Sequence, residues 1–301
     1  MIKSSFDIIV CGSLHLDIMV DAPNLPRIDE TAVGTKWGYK CGGKGGNQAV
    51  MSAKLGARTA MIGRVGQDDF GTRLIAHLDR AGVDRREVGV DPVAGSGMSV
   101  AIVETTGDYG AVIVSGSNLA INPQDAGAAF TRLGGAPILI LQNEVPEAVN
   151  LAVAREAKGA GARVILNAAP ARVLSQELIE FIDVLVVNRV EAAMLSGRPV
   201  EAPEDAIGAL PALGQAHRDV IVTLGAGGLV VGARESTPHF IPAMPVKVIS
   251  THGAGDCFIG ALGLALAHGE ALEAAAAHAS RIAARFVSLS EDARETATLD
   301  V

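Results

Sequence analysis

Apolar residues are spaced in two different ways along this chain. Asp7 to Cys11 (DIIVC) is a short continuous apolar run that stops at a glycine, the pattern of a buried strand. Leu14 to Val20 alternates loosely, and Thr31 to Lys40 is polar but carries Trp37 and Tyr39. Met98 to Val103 and Ala111 to Val114 flank the turn Thr105 to Gly110 and predict a β-hairpin. Asn47 to Leu55 reads as a helix after a glycine-rich turn, Thr59 to Arg64 as a strand, and Gly71 to Ala81 as a helix stopped by Gly82. Further on the pattern becomes regular. Ile138 to Leu141, Arg163 to Leu166, Val184 to Val187 and Val220 to Leu224 are continuous apolar runs. Pro146 to Gly159, Ser175 to Ile182, Glu191 to Ser196 and Asp205 to Ala216 read as helices between them.

Strands alternating with helices predict an α/β fold, a doubly wound and mostly parallel sheet flanked by helices. The looser N-terminal strands predict a small β-sheet lid, formed approximately by residues 14–41 and 97–116, on a single domain spanning residues 1–301. Ligands of such sheets sit at the carboxyl ends of the strands, and a lid there excludes water. The composition agrees, with 49% hydrophobic and 19% charged residues, a globular balance and not a disordered one. A net charge of −8, with Arg85-Arg86 the only adjacent basic pair, argues against nucleic acid as the main partner. Cys11, Cys41 and Cys257 form no CxxC pair and read as reduced thiols of a cytoplasmic protein. The N-terminus reads as a strand and not as a signal peptide, and no apolar run is long enough to span a membrane.

Four segments can carry chemistry. Gly253-Ala254-Gly255-Asp256 follows the strand-like Val246 to Ser250 and opens the apolar helix Cys257 to Ala267. Backbone N–H groups at such a helix start form an anion hole, and Asp256 would there accept the proton of an attacking alcohol. The plainer alternative is a tight turn with Asp256 as an ordinary helix cap. Gly42-Gly43-Lys44-Gly45-Gly46-Asn47 opens another helix; it lacks the Walker A spacing, and reads either as a loop closing on a ligand or as a hinge. Asn188 and Glu191 follow an apolar run and suit either a hydrated Mg²⁺ and phosphate oxygens or a plain helix cap. Thr223 to Gly228 is either a nucleotide loop or a strand-ending turn.

Together, in this order, the motifs resemble those of the ribokinase-like, PfkB-type carbohydrate kinases, and the ribokinase branch most. The segments that carry the resemblance are Gly12 to Asp17, the GGKGGN segment with Gln48-Ala49, and Gly63 to Gly71. They continue with Leu141 to Glu144, Asn167 to Ala171, Asn188 to Glu191, Thr223 to Gly228 and Gly253 to Asp256. The resemblance implies transfer of a phosphoryl group from ATP, with Mg²⁺, to the terminal CH₂OH of a furanose-like sugar, ribose first. It implies Asp17, Gly43, Lys44, Asn47 and Glu144 on the sugar, Asp256 as base, and the N–H groups of Gly253, Ala254 and Gly255 as anion hole. It implies Asn188 and Glu191 on phosphate and Mg²⁺, with Thr223, Gly225 and Gly228 along the nucleotide, and a homodimer formed through the lid.

Two positions depart from the pattern. His15 stands where the family usually has asparagine, so it contacts a sugar hydroxyl or is a buried structural histidine. Ser250-Thr251 stands where the family usually has Asp-Thr, and that aspartate helps bind an activating potassium ion. A neutral hydroxyl attracts a cation far less. A nucleoside kinase of the same fold and a non-catalytic sugar-binding regulatory protein are the competing functions.

Overall fold

A computed structural model describes residues 5–104, 109–214, 218–233, 237–290 and 293–294. The predicted hairpin turn at 105–108, the end of the helix predicted to reach Ala216, and residues 295–301 lie outside the described residues. The chain begins with β1 (Ile8–Cys11), β2 (His15–Ala22), β3 (Lys36–Gly42), α1 (Lys44–Lys54), β4 (Thr59–Gly66), α2 (Asp69–Arg80) and β5 (Asp84–Asp91). It continues with β6 (Gly97–Glu104), β7 (Tyr109–Val114), α3 (Pro123–Arg132), β8 (Ile138–Gln142), α4 (Glu147–Gly159) and β9 (Arg163–Asn167). Next come α5 (Gln176–Ile179), β10 (Val184–Asn188), α6 (Arg189–Ser196), α7 (Pro203–Leu213) and β11 (Asp219–Thr223). The last elements are β12 (Leu229–Gly232), β13 (His239–Ile241), α8 (Ala254–Ala267) and α9 (Leu272–Val287).

The main sheet runs β13-β12-β11-β10-β9-β8-β1-β4-β5. Every pairing from β11 to β5 is parallel, and β12 and β13 add an antiparallel edge. The two-residue period of a strand sorts its side chains between two cores. Ile8 and Val10 join Ile138 and Ile140 in one cluster, covered by α1, α8 and α9; Ile9 and Cys11 join Leu139 and Leu141 in the other, covered by α3 and α4. Helix starts follow local chemistry. Asp68 accepts from the Gly71 N–H ahead of α2, and Asn122 from the Asp125 N–H with Pro123 in the first turn of α3. Among the described residues no helix is long and apolar enough to cross a membrane.

A second sheet has the order β3-β2-β6-β7. The N-terminal segments are therefore divided between two sheets, since β1, β4 and β5 belong to the main one. Nor are all its neighbours hairpin partners: β2 and β6 pair in parallel, with Asp17 opposite Ser99, which only a long crossover permits. The strand expected at Val246 to Ser250 does not form. The N–H groups of Ile249 and Ser250 donate instead to the Val287 carbonyl, one of those that α9 leaves unpaired at its end, and Val248 and Ile249 are exposed.

Candidate active site

The chain leaves β1 for β4 and β5 on one side of the sheet and returns to β8 on the other. The carboxyl ends of β1 and β8 thus bracket the topological switch point, where open sheets place their ligands. Glu144 lies two residues beyond β8. Its Oε2 accepts from the Lys44 N–H at 2.9 Å and from the Ser13 hydroxyl. His15 Nδ1 is 3.9 Å from the same oxygen. The His15 ring is buried, and its Nε2 has no hydrogen-bond partner among the described residues. This closeness depends on Gly43, which takes φ 84°; a Cβ there would lie 2.8 Å from Ser13 O and His15 N. Asn118 pins the same segment, accepting from Leu14 N–H and donating to Leu14 O, both at 2.9 Å. Asp17, on β2, accepts from the Ser99 hydroxyl at 2.5 Å.

Asp256 sits in the first turn of α8 but does not cap it. The cap position is Gly253, in the left-handed conformation at φ 79°, with no side chain to offer. The Asp256 carboxylate crosses to α1 instead. Oδ2 accepts from Asn47 Nδ2 and Oδ1 from Gln48 Nε2, each at 3.0 Å. Gln48 is oriented in turn, because its Oε1 accepts from Gln142 Nε2 at 2.8 Å. Burial pushes the Asp256 carboxyl above the ordinary carboxylate range, while the Lys44 ammonium and the two amides pull the other way. Of the three expected anion-hole donors, the N–H groups of Gly253 and Gly255 have no acceptor among the described residues. Ala254 differs from the expectation: its N–H closes the turn onto Thr251 O at 3.1 Å.

Asn188 and Glu191 form a reciprocal cap on α6. Asn188 Oδ1 accepts from the N–H groups of Val190 and Glu191, and Glu191 Oε2 accepts from Asn188 N–H, all at 2.9 Å. The plain cap is thus formed here. Glu191 is nonetheless buried, which raises its carboxyl, and the Lys44 ammonium is close enough to oppose that rise. Thr223 pairs with Asn188 across the ends of β10 and β11. Gly225 lies in the short turn beyond it, and Gly228, at φ 88°, closes that turn. No group of three His, Cys, Asp or Glu side chains among the described residues forms a metal cage.

The first turn of α1 therefore joins two networks. Ser13, His15, Lys44 and Glu144 form one, and Asn47, Gln48, Gln142 and Asp256 the other. The Lys44 charge links both to Glu191, whereas Thr223, Gly225 and Gly228 belong to the end of β11 and the turn that follows it. Gln48 and Gln142 lie in segments that carried the resemblance without a role of their own, and Ser99 gave no signal in the sequence.

Known proteins resemble this chain along most of its length. A family model described as pfkB family carbohydrate kinase matches residues 5–297. Ribokinase of Bacillus subtilis (strain 168) is 36% identical over 282 residues, covering 93% of this chain and 92% of that one. Ribokinase of Mus musculus is 34% identical over 264 residues, covering 87% and 82%. The solved structure of Arabidopsis thaliana ribokinase complexed with ribose and ATP superposes with a TM-score of 0.87 at 31% identity, covering 95% of this chain and 93% of that one. The chain belongs to the pfkB family of carbohydrate kinases.

Proposed function

We propose that this protein transfers the γ-phosphate of ATP to the primary hydroxyl of a small furanose sugar, ribose first among the candidates. One observation carries the reading: a half-buried carboxylate, Asp256, is held by two amides at the start of α8, beside the unengaged N–H groups of Gly253 and Gly255. A carboxylate so placed takes the proton of an attacking alcohol, and those N–H groups stabilise charge on the phosphoryl oxygens. Asp17, Lys44, Glu144 and His15 hold the sugar hydroxyls, with Gly43 allowing the backbone to approach and Asn47 shared between sugar and base. Thr223, Gly225 and Gly228 line the nucleotide, with Asn188 toward its phosphates. Mg²⁺ fits as a hydrated ion near Glu191 and not as a caged one, and when bound it neutralises phosphate charge. The β3-β2-β6-β7 sheet acts as the lid that keeps water from competing as acceptor, on one domain that works in the cytoplasm as a lid-to-lid homodimer.

The orphaned Nε2 of His15 favours a second reading, a nucleoside as acceptor, because a donor or acceptor on a larger C1 substituent would satisfy it. ADP release with ATP and Mg²⁺ across ribose, other pentoses, ketohexoses and nucleosides decides between them. The highest kcat/KM is expected on ribose. Preference for a nucleoside would move the assignment to that class, and silence across the panel would leave a non-catalytic sugar-binding protein.

A further inference from the structure

Arg294 lies beyond every motif that suggested a sugar kinase, yet its side chain is buried behind the start of α8. Its guanidinium is committed to backbone carbonyls. Nη1 donates to His252 O at 3.0 Å, Nη2 to Ser250 O at 2.5 Å and Nε to Phe286 O at 3.0 Å. The guanidinium also lies over the Phe286 ring, 4.3 Å from its centroid, and Lys54 Nζ donates to the Arg294 carbonyl at 3.3 Å. Ser250 and His252 flank the turn whose next residue, Gly253, caps α8. The charge therefore sits against the carbonyls of the turn that leads into Gly253.

This placement tests whether the potassium ion that the family resemblance implies fits this chain. A monovalent cation at the turn needs oxygen ligands, and with serine at position 250 the side chain brings no negative charge. Among the described residues, the side chains of the turn offer only the neutral hydroxyls of Ser250 and Thr251, and the backbone carbonyls of Ser250 and His252 already accept from Arg294. A potassium ion would have to displace both hydrogen bonds and sit against a fixed positive charge. The residues present do not fit it.

We infer that Arg294 is a tethered replacement for a monovalent cation: its guanidinium holds the Ser250–Gly253 turn, positions the anion-binding N–H groups, and makes the protein indifferent to potassium. Arg294 is a positioning residue, acting on the transferred phosphoryl group only through the turn. Its effect on turnover rests on the proposed kinase reaction, but its indifference to cations does not.

The test compares potassium, sodium and caesium chlorides with tetramethylammonium chloride at matched ionic strength, reading kcat on the sugar and melting temperature. For the natural protein, kcat is expected to vary by less than about twofold across the series, the scale of residual salt effects, with no ion-specific shift in melting temperature. Arg294→Ser is expected to lower kcat about 10- to 100-fold, the range for losing charged hydrogen bonds, with a much smaller change in KM. Adding potassium or methylguanidinium should then restore both kcat and melting temperature. Several-fold activation of the natural protein by potassium would overturn the inference, as would undiminished kcat in Arg294→Ser without added cation. Should the variant not fold, the natural protein's salt series decides alone. Should no sugar be turned over, the kinase reading fails, while an ion-specific rise in melting temperature still counts against Arg294 and its absence for it.

Discussion

Burial holds the Asp256 carboxyl high, and the donors from Gln48 and Asn47 together with the Lys44 charge draw it back toward ionisation. As the proposed base it must be ionised, so kcat/KM should fall on the acid side with a midpoint above the ordinary 3.8 of an aspartate. Gln48→Leu removes one donor to the charged form, so the acid limb should move to higher pH; a limb that stays put would show that Gln48 does not tune the base. Stability follows with its own sign. Between the unfolded and the raised folded pKa the native state holds the extra proton, so stability declines as pH rises through that window and stays reduced above it. Asp256→Asn removes the ionisation. The Asn47 amide can turn over to meet the new Nδ2, while Gln48, fixed by Gln142, still donates to Oδ1. The variant should melt higher than the natural protein at neutral pH and lose about 10²- to 10⁴-fold in kcat. Near-normal turnover would remove Asp256 as the base.

That residue reaches α1 only because two helices cross closely. A Cβ at Gly260 of α8 would lie 2.9 Å from Ser52 N and 3.1 Å from Met51 Cβ, on α1. Backbone cannot yield as a side-chain tip can, so Gly260→Ala should push the helices apart at a cost of about 1–3 kcal/mol. It should also lower kcat, because the Asp256 hydrogen bonds span this interface. Gly159→Ala is the control: it sits at the end of α4 with open space around it, and should be neutral or stabilising by up to about 1 kcal/mol. Urea melts and kinetics on both variants check the pair; an unaffected Gly260→Ala would mean the crossing is not tight. At this scale the sequence was readable where apolar runs were continuous, as in β8 or β10, and where glycines preceded a helix, as at α1 and α8. It misled where the usual pattern was absent. β5 (DRREVGVD) is an edge strand with exposed charges, and the apolar Val248 and Ile249 lie outside the sheet. The contact from Gln142 to Gln48 spans 94 positions, and Arg294 reaches back 42 and 44 positions to His252 and Ser250. No local pattern encodes such pairs.

The assembly proposed for the whole molecule follows from strand register. In the smaller sheet Tyr39, Ile18, Val100 and Val112 lie in one cross-strand row, and Trp37, Val20 and Ile102 in the next. Directly opposed residues share a face, so these rows form one apolar face, while Asp17 and Ser99 belong to the other. Trp37 is 62% exposed and Val112 69%, and an apolar sheet face of this kind ordinarily meets a partner. In the proposed dimer a second copy of the same sheet would cover it by two-fold symmetry, with each row meeting its own image. The sheet that carries Asp17 would then be braced by its neighbour, and the proposal is that sugar binding and association are coupled. Val112→Glu puts a charge in this contact without touching a core residue. Light scattering on a sizing column should show a dimer for the natural protein and a monomer for the variant. The sugar KM should rise roughly tenfold, equivalent to about 1.4 kcal/mol of lost binding, while the KM for ATP, whose proposed site lies at the ends of β10 and β11, changes little. A natural protein that stays monomeric at high concentration would remove the interface, and a dimer that persists in Val112→Glu would place it elsewhere on the molecule.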